Sequence, residues 1–194
     1  MATSYEKALA LIDEAHAQDP KTIVVDGQEV PYELHYARKM SHFLSLRSPS
    51  ASEPLRLAIR SQHFRRWETP RDSYPMTKAG YYSWRNFLKK RQAEQAFQIC
   101  RDCGYPEETA ERVASLIRKE DMKTDQESQI LEDVACLVFL DDQFEDFEKG
   151  HDEAKIIGIL RKTWVKMSDK GHELALEIPI AARCQDLIQK ALSD

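Results

Sequence analysis

The sequence has no apolar run approaching the ~20 residues needed to span a bilayer. A helical membrane anchor is therefore not expected, and neither is a membrane partner. The N-terminal stretch MATSYEKALALIDEAH has an early acid, no basic region and no uninterrupted apolar core, so it does not read as a secretory signal. Cysteine is sparse: four in 194 residues. Without a secretory signal they predict free thiols in a reducing compartment, and hence a cytoplasmic protein. Cys100 and Cys103 have C-x-x-C spacing but lack a second pair, and they end a helix instead of opening one. The helix-dipole activation of a redox thiol is missing there. Internal repeats and low-complexity tracts are absent. The net charge of −5 lacks the basic excess of a chain whose main partner is nucleic acid.

Strands are nearly absent too. Thr22–Val30, TIVVDGQEV, is the one β-like stretch, folded back at Asp26-Gly27. Two strands this short cannot stand alone, so they predict a surface hairpin at most. What remains is helical spacing. Tyr5, Ala8, Leu9, Ile12 and Ala15 form one stripe over Ser4–Ala17. Tyr32–Leu46 follows Pro31, and a third helix is expected from Glu53 to Trp67, with Ser50 or Ser52 as its cap. Thr77 caps a long helix, Lys78–Asp102, that Gly104 stops. Glu107–Glu120 has acids first and bases last, matching the helix dipole. Gln126–Phe147 contains LEDVACLVFL, apolar nearly all round, so it should be central. Glu153–Ser168 ends at Gly171, and an eighth helix starts near His172 and breaks at Pro179. At 194 residues this predicts one all-α domain, residues 1–194, with short connections.

The chemistry concentrates in Leu55–Tyr82, LRLAIRSQHFRRWETPRDSYPMTKAGYY. The window Arg56–Arg91 carries ten basic and two acidic residues, +8, which leaves −13 for the rest of the chain. A basic block in an acidic protein points to an anionic ligand. It keeps a phosphorylated small molecule or a short nucleic-acid strand open as partner. Arg65, Arg66, Arg71 and Arg85 supply guanidinium forks for phosphate, and Tyr74, Tyr81 and Trp84 could stack a base. For Lys89, Lys90 and Arg91 a solvated helix face is the plainer expectation.

His63 continues the apolar stripe of Leu55 and Ile59, so it should face inward and need a partner. His35 lies 28 residues before it and Asp133 lies 70 residues after it, in the apolar helix. Imidazoles and a carboxylate from separate helices are a ligand set for one Zn, Mn, Fe or Ni ion. With ELHYARKM, LRLAIRSQHF and DQESQILEDVACLVFLDD around them, the three residues resemble the HD-domain metal-dependent phosphohydrolases, an all-α family. The resemblance covers about Leu34–Asp142 and implies a single-domain HD-like helical bundle. It implies His35, His63 and Asp133 as metal ligands, and hydrolysis of a phosphorylated, nucleotide-like small molecule. Glu132 or Glu68 would handle the proton. The aspartate that follows the second histidine in that family is Phe64 here, which cannot ligate, so a single metal is the most this set could hold. Where a further histidine of the binuclear enzymes could stand, this chain has Lys119. Two alternatives follow: a metal-free HD-like module that binds an anionic ligand or partner protein, and an iron-dependent oxygenase of the HD group. Separately, QHxxRW, YPxxxxGYxxWR and LEDVxCLVFL make the chain similar to an uncharacterised family of bacterial and fungal proteins.

Overall fold

The computed structural model describes residues 2–121 and 124–193. Its fold is all-α apart from one hairpin. α1 (Ser4–His16) opens on Thr3, whose hydroxyl and the Glu6 carboxylate form a capping box. It buries Ala8, Ile12 and His16 in one stripe. β1 (Thr22–Val25) pairs antiparallel with β2 (Gln28–Pro31), Val25 opposite Gln28. Asp26 and Gly27, at φ +50° and +79°, make the two-residue turn that their left-handed tolerance permits.

α2 (Tyr32–Arg47) and α3 (Glu53–Arg60) follow. The cap of α3 is Ser52, not Ser50: its Oγ accepts from the Leu55 amide at 3.2 Å. α4 (Lys78–Asp102) is capped by Thr77. Gly80 in its first turn lies against the preceding loop, where a Cβ would stand 2.1 Å from the Pro75 carbonyl oxygen. Only glycine fits that approach. α5 (Glu107–Arg118) runs along α4. α6 (Gln126–Val138) is central, packing on α2 with Leu131, Val134 and Leu137 wholly buried. α7 (Phe144–Lys149), α8 (Glu153–Lys166), α9 (Asp169–Glu177) and α10 (Ala182–Leu192) complete the chain. One hydrophobic core extends from Ala8 in α1 to Ala191 in α10. Among the described residues no helix is long and apolar enough to cross a membrane.

Three boundaries differ from the sequence expectation. The third helix stops at Arg60, not at Trp67, so His63 and Arg66 lie on a loop. The apolar helix ends at Val138 and continues as a π-helical turn, Phe139–Gln143, before α7. Gly171 sits inside α9, where a Cβ would meet the Asp133 carboxylate at 2.9 Å; the break before α9 is made by Met167 and Ser168 in extended conformation.

Candidate functional site

The early end of α3 has a definite cause. Glu33, in the first turn of α2, is 4 % exposed. Its Oε1 accepts from the Arg66 amide at 2.6 Å and the Trp67 amide at 3.1 Å. Its Oε2 accepts from the Arg65 amide at 2.9 Å and faces His16 Nδ1 at 3.2 Å. A helix continuing through Trp67 would direct those three amides to its own carbonyls, so the buried carboxylate and the helix are alternatives. His16 Nε2 donates to the Arg60 carbonyl at 2.9 Å and takes up one of the acceptors the helix leaves at its end. Arg60 itself pairs with Asp13 through two bonds of 2.6 and 2.8 Å. His63 and Arg65 adopt left-handed backbone, φ +62° and +50°. A non-glycine residue held there costs of order 1–3 kcal/mol and persists only where its surroundings enforce it. Glu33 does the enforcing here.

That loop forms one wall of a pocket of about 400 Å³. The rest comes from α4 (Tyr81, Arg85, Leu88, Lys89, Gln92), the end of α5 (Ile117, Lys119), α6 (Glu132, Ala135, Cys136) and the segments after it. Five cations line it, Arg66, Arg85, Lys89, Lys119 and Lys166, against one acid, Glu132. Arg66 is fixed in place. Its guanidinium carbon stands 4.6 Å from the centroid of the Trp84 ring, and Nη1 donates to His63 Nε2 at 2.8 Å. Accepting that bond leaves the His63 proton on Nδ1. The ring of His63 stacks on Tyr36 at 4.1 Å. Burial, then Arg66 and Arg85, hold the His63 pKa well below the ordinary imidazole value, so the ring is neutral at pH 7. Burial pushes the Glu132 carboxyl up, but Lys119 and Lys166 outweigh it and keep its pKa below the usual value. Lys119 pairs with Glu132 directly, and Lys166 does so at 3.5 Å.

Arg85 and Lys89 make no ion pair or side-chain hydrogen bond with any described residue. Burial, then Arg85 and Lys119, lower the Lys89 pKa. Gln92, nine-tenths buried on the same wall, has an amide nitrogen without a partner among the described residues. Buried donors are rarely left so. The pocket is therefore a half-buried, aromatic-edged cavity of positive potential with donors to spare, the setting in which anions bind.

Of the residues expected from sequence, the pocket gathers His63, Arg66, Tyr81, Arg85 and Glu132. The others lie elsewhere, and each has its own partners. His35 Nε2 donates to Asp142 at 2.5 Å. Asp133 is wholly buried and accepts from Arg47 Nε (2.7 Å), Gln129 Nε2 (2.9 Å), and the Ser168 amide (2.8 Å) and hydroxyl (2.6 Å). It fastens the start of α9 to α2. Glu68 pairs with Arg65 and Arg91. Arg71 donates to the carbonyls of Tyr74, Pro75 and Thr77, so it clamps its own loop. Tyr74 packs toward Phe87, with ring centroids 6.2 Å apart.

The expected metal set is thus not assembled. His35 and Asp133 have separate partners, and His63 Nε2 faces a guanidinium. Among the described residues no three His, Cys, Asp or Glu side chains form a group that could hold a metal ion. The chemistry of the pocket points the same way: a divalent cation there would face a surplus of positive charge. All four cysteines are buried and unpaired.

Lys89, Gln92, Lys119 and Lys166 are among the pocket residues that the sequence did not lead us to expect there. Lys89 is not on a solvated face, because α4 turns it toward α5 and α8. Lys119 ends α5 in left-handed backbone, φ +58°, which aims it inward at Glu132. A signal for Glu33 and His16 was present: both occupy positions in the buried stripes of their helices, Ala8-Ile12-His16 and Glu33-Ala37-Met40-Leu44. A charged residue in such a stripe needs buried partners. The π turn carries its own device. Asp141 accepts from Lys39 (2.7 Å), Asp142 from His35, and Gln143 Nε2 donates to the Tyr32 hydroxyl (2.9 Å), so three successive residues lace it to α2. Phe139 and Gln143 of that turn reach the pocket.

An all-α domain with a cation-lined pocket is the class these features define. Residues 6–188 match the family described as Domain of unknown function (DUF4202), and the chain belongs to that family. No curated protein and no solved structure matches the chain.

Proposed function

We propose that this protein is a metal-free binding domain for an anionic small molecule, phosphorylated and nucleotide-like. The observation that carries the reading is the convergence of Arg66, Arg85, Lys89, Lys119 and Lys166 on one pocket, with Arg85 and Lys89 unpaired among the described residues. Arg66 has donors left after its one bond to His63, held by stacking on Trp84, so it presents a fork to phosphate at little entropic cost. Tyr36, Tyr81, Phe139 and Phe147 provide apolar walls for the rest of such a ligand. The free buried thiols fit a reducing, cytoplasmic setting.

The hydrolase and oxygenase readings require His35, His63 and Asp133 around one point, and those side chains serve other partners. Glu132 alone does not support hydrolysis: a carboxylate stabilised as the anion by two lysines is a weak base. Phe64 and Lys119 stand where the HD family has metal ligands, which fits a domain that binds its ligand without a metal.

The test is calorimetric titration of inorganic phosphate and adenosine nucleotides against wild type and Arg85→Ala in metal-free buffer. Each charged hydrogen bond lost is worth about 1.5–3 kcal/mol, about one to two decades in affinity. Wild type should bind members of the panel, and Arg85→Ala should bind them at least tenfold more weakly. Binding by neither protein, or equal binding by both, overturns the reading.

A further inference from the structure

The pocket does not end at its mouth. It opens into a groove of about 960 Å³ that shares Tyr81, Arg85, Lys89, Lys119 and Lys166 with it. The groove adds Tyr82 and Asn86 of α4 and Lys162 of α8, and no acid lines it. One continuous strip of positive potential therefore runs from Arg66 and Gln92 inside to Lys162 and Lys166 at the surface.

The charge balance sets the size of the anion. Five formal positive charges face one negative charge in the inner pocket, a surplus of four with His63 neutral. A single phosphoryl group carries at most two negative charges at pH 7. It would leave half the surplus unanswered and most of the 400 Å³ unfilled. Arg85 and Lys89 are four residues apart on α4, hence stacked one turn apart on one face. Like charges in that arrangement destabilise a helix. Neither cation forms an ion pair with a carboxylate among the described residues, and Glu132 acts on Lys89 only at a distance, so α4 holds a repulsion that an extended anion along its face would relieve.

Resting on the anion-binding reading, we infer that the ligand carries two or more phosphoryl groups in line, running along α4 past Arg85 and Lys89 toward Lys162. The inner end meets Arg66 and the unpartnered amide of Gln92. Beyond Arg85 the chain of phosphates leaves the cavity and lies in the groove. Inorganic pyrophosphate and nucleoside di- or triphosphates share this chemistry, and a monophosphate does not.

The experiment is isothermal titration in metal-free buffer at fixed ionic strength. The probes are orthophosphate, pyrophosphate, tripolyphosphate, the adenosine mono-, di- and triphosphates, and a short single-stranded oligonucleotide. Affinity should rise at least tenfold from orthophosphate to pyrophosphate and again from AMP to ADP. The salt dependence should steepen along each series, because more cations are neutralised. Lys89→Met should erase the step from orthophosphate to pyrophosphate. Lys162→Met, at an exposed position that does not bear on folding, should reduce only the further gain of tripolyphosphate. If all phosphates bind with equal affinity, the in-line inference fails while the anion reading stands. If nothing binds, both fail. If the oligonucleotide binds more tightly than tripolyphosphate, the site is a nucleic-acid groove and the inference is overturned.

Discussion

Glu132 and Asp133 are neighbours on α6, and both are buried. Asp133 faces α2 and α9 and has a donor for each of its lone-pair directions in use: Arg47, Gln129, and the amide and hydroxyl of Ser168. Glu132 faces the pocket, where it is the lone acid among five cations. The same division separates Glu33, whose carboxylate is filled by three backbone amides and His16, from Arg85 and Lys89, which have no side-chain acceptor among the described residues. A polar group satisfied by its own chain holds the fold. Cations gathered in a pocket without acceptors of their own, beside the unpartnered amide of Gln92, leave room for a ligand to complete them.

The sharpest way to break this comparison is Asp133→Ala. It strands the Arg47 guanidinium and the donors of Ser168 and Gln129 in the interior. Loss of one partner of a buried ion pair typically costs about 3–5 kcal/mol. Urea unfolding should show a loss of that size, with phosphate affinity unchanged in the folded fraction. A loss below about 1 kcal/mol would mean that Asp133 has no structural part to play.

Glu33→Gln should cost less, about 1–3 kcal/mol, because the amide still accepts from part of the loop. Its effect should extend to the pocket. Arg66 rides on the backbone that Glu33 holds, so anion affinity should fall together with stability. Loss of stability with unaltered phosphate affinity in titration would show that the loop keeps its shape without Glu33.

The smallest effect concerns pH. Folding holds His63 neutral, with its pKa well below the ordinary value because of burial, Arg66 and Arg85. The unfolded chain takes the proton near pH 6.5. The unfolded state therefore binds more protons below that pH. The contribution is complete above about pH 6.5 and is lost as the pH falls toward the folded pKa. Urea midpoints between pH 7.5 and 5 should decline more steeply for wild type than for His63→Asn, since asparagine also tolerates left-handed backbone. Parallel curves would place the imidazole in a setting that does not resist protonation.

The helices were legible because their signals are local. Thr77 and Gly104 bracket α4, Asp125 caps α6, and Asp26-Gly27 turns the hairpin, each through bonds within a few residues of itself. The basic window was legible as charge, and it led to Arg66, Tyr81 and Arg85 in the pocket. It misjudged Arg71, whose guanidinium satisfies three carbonyls of its own loop, and Lys89, whose partner elements α5 and α8 lie far along the chain. The metal set of His35, His63 and Asp133 was a pattern of residue types at family-like spacing. Spacing along a chain does not say which way a side chain turns, and these three turn toward Asp142, Arg66 and Arg47.

By itself the sequence determined an all-α chain with one short hairpin and a concentration of positive charge between Arg56 and Arg91. Periodicity, capping and turn chemistry act over one or two turns, so a linear reading captures them. The tertiary structure decided where α3 ends, because a carboxylate 32 residues upstream of Arg65 competes for the amides of its last turn. It decided which cations become a site, because Lys119 and Lys166 reach the pocket only when α5 and α8 close against α4 and α6. Desolvation and charge at a distance depend on what is folded alongside, and no stretch of sequence contains that.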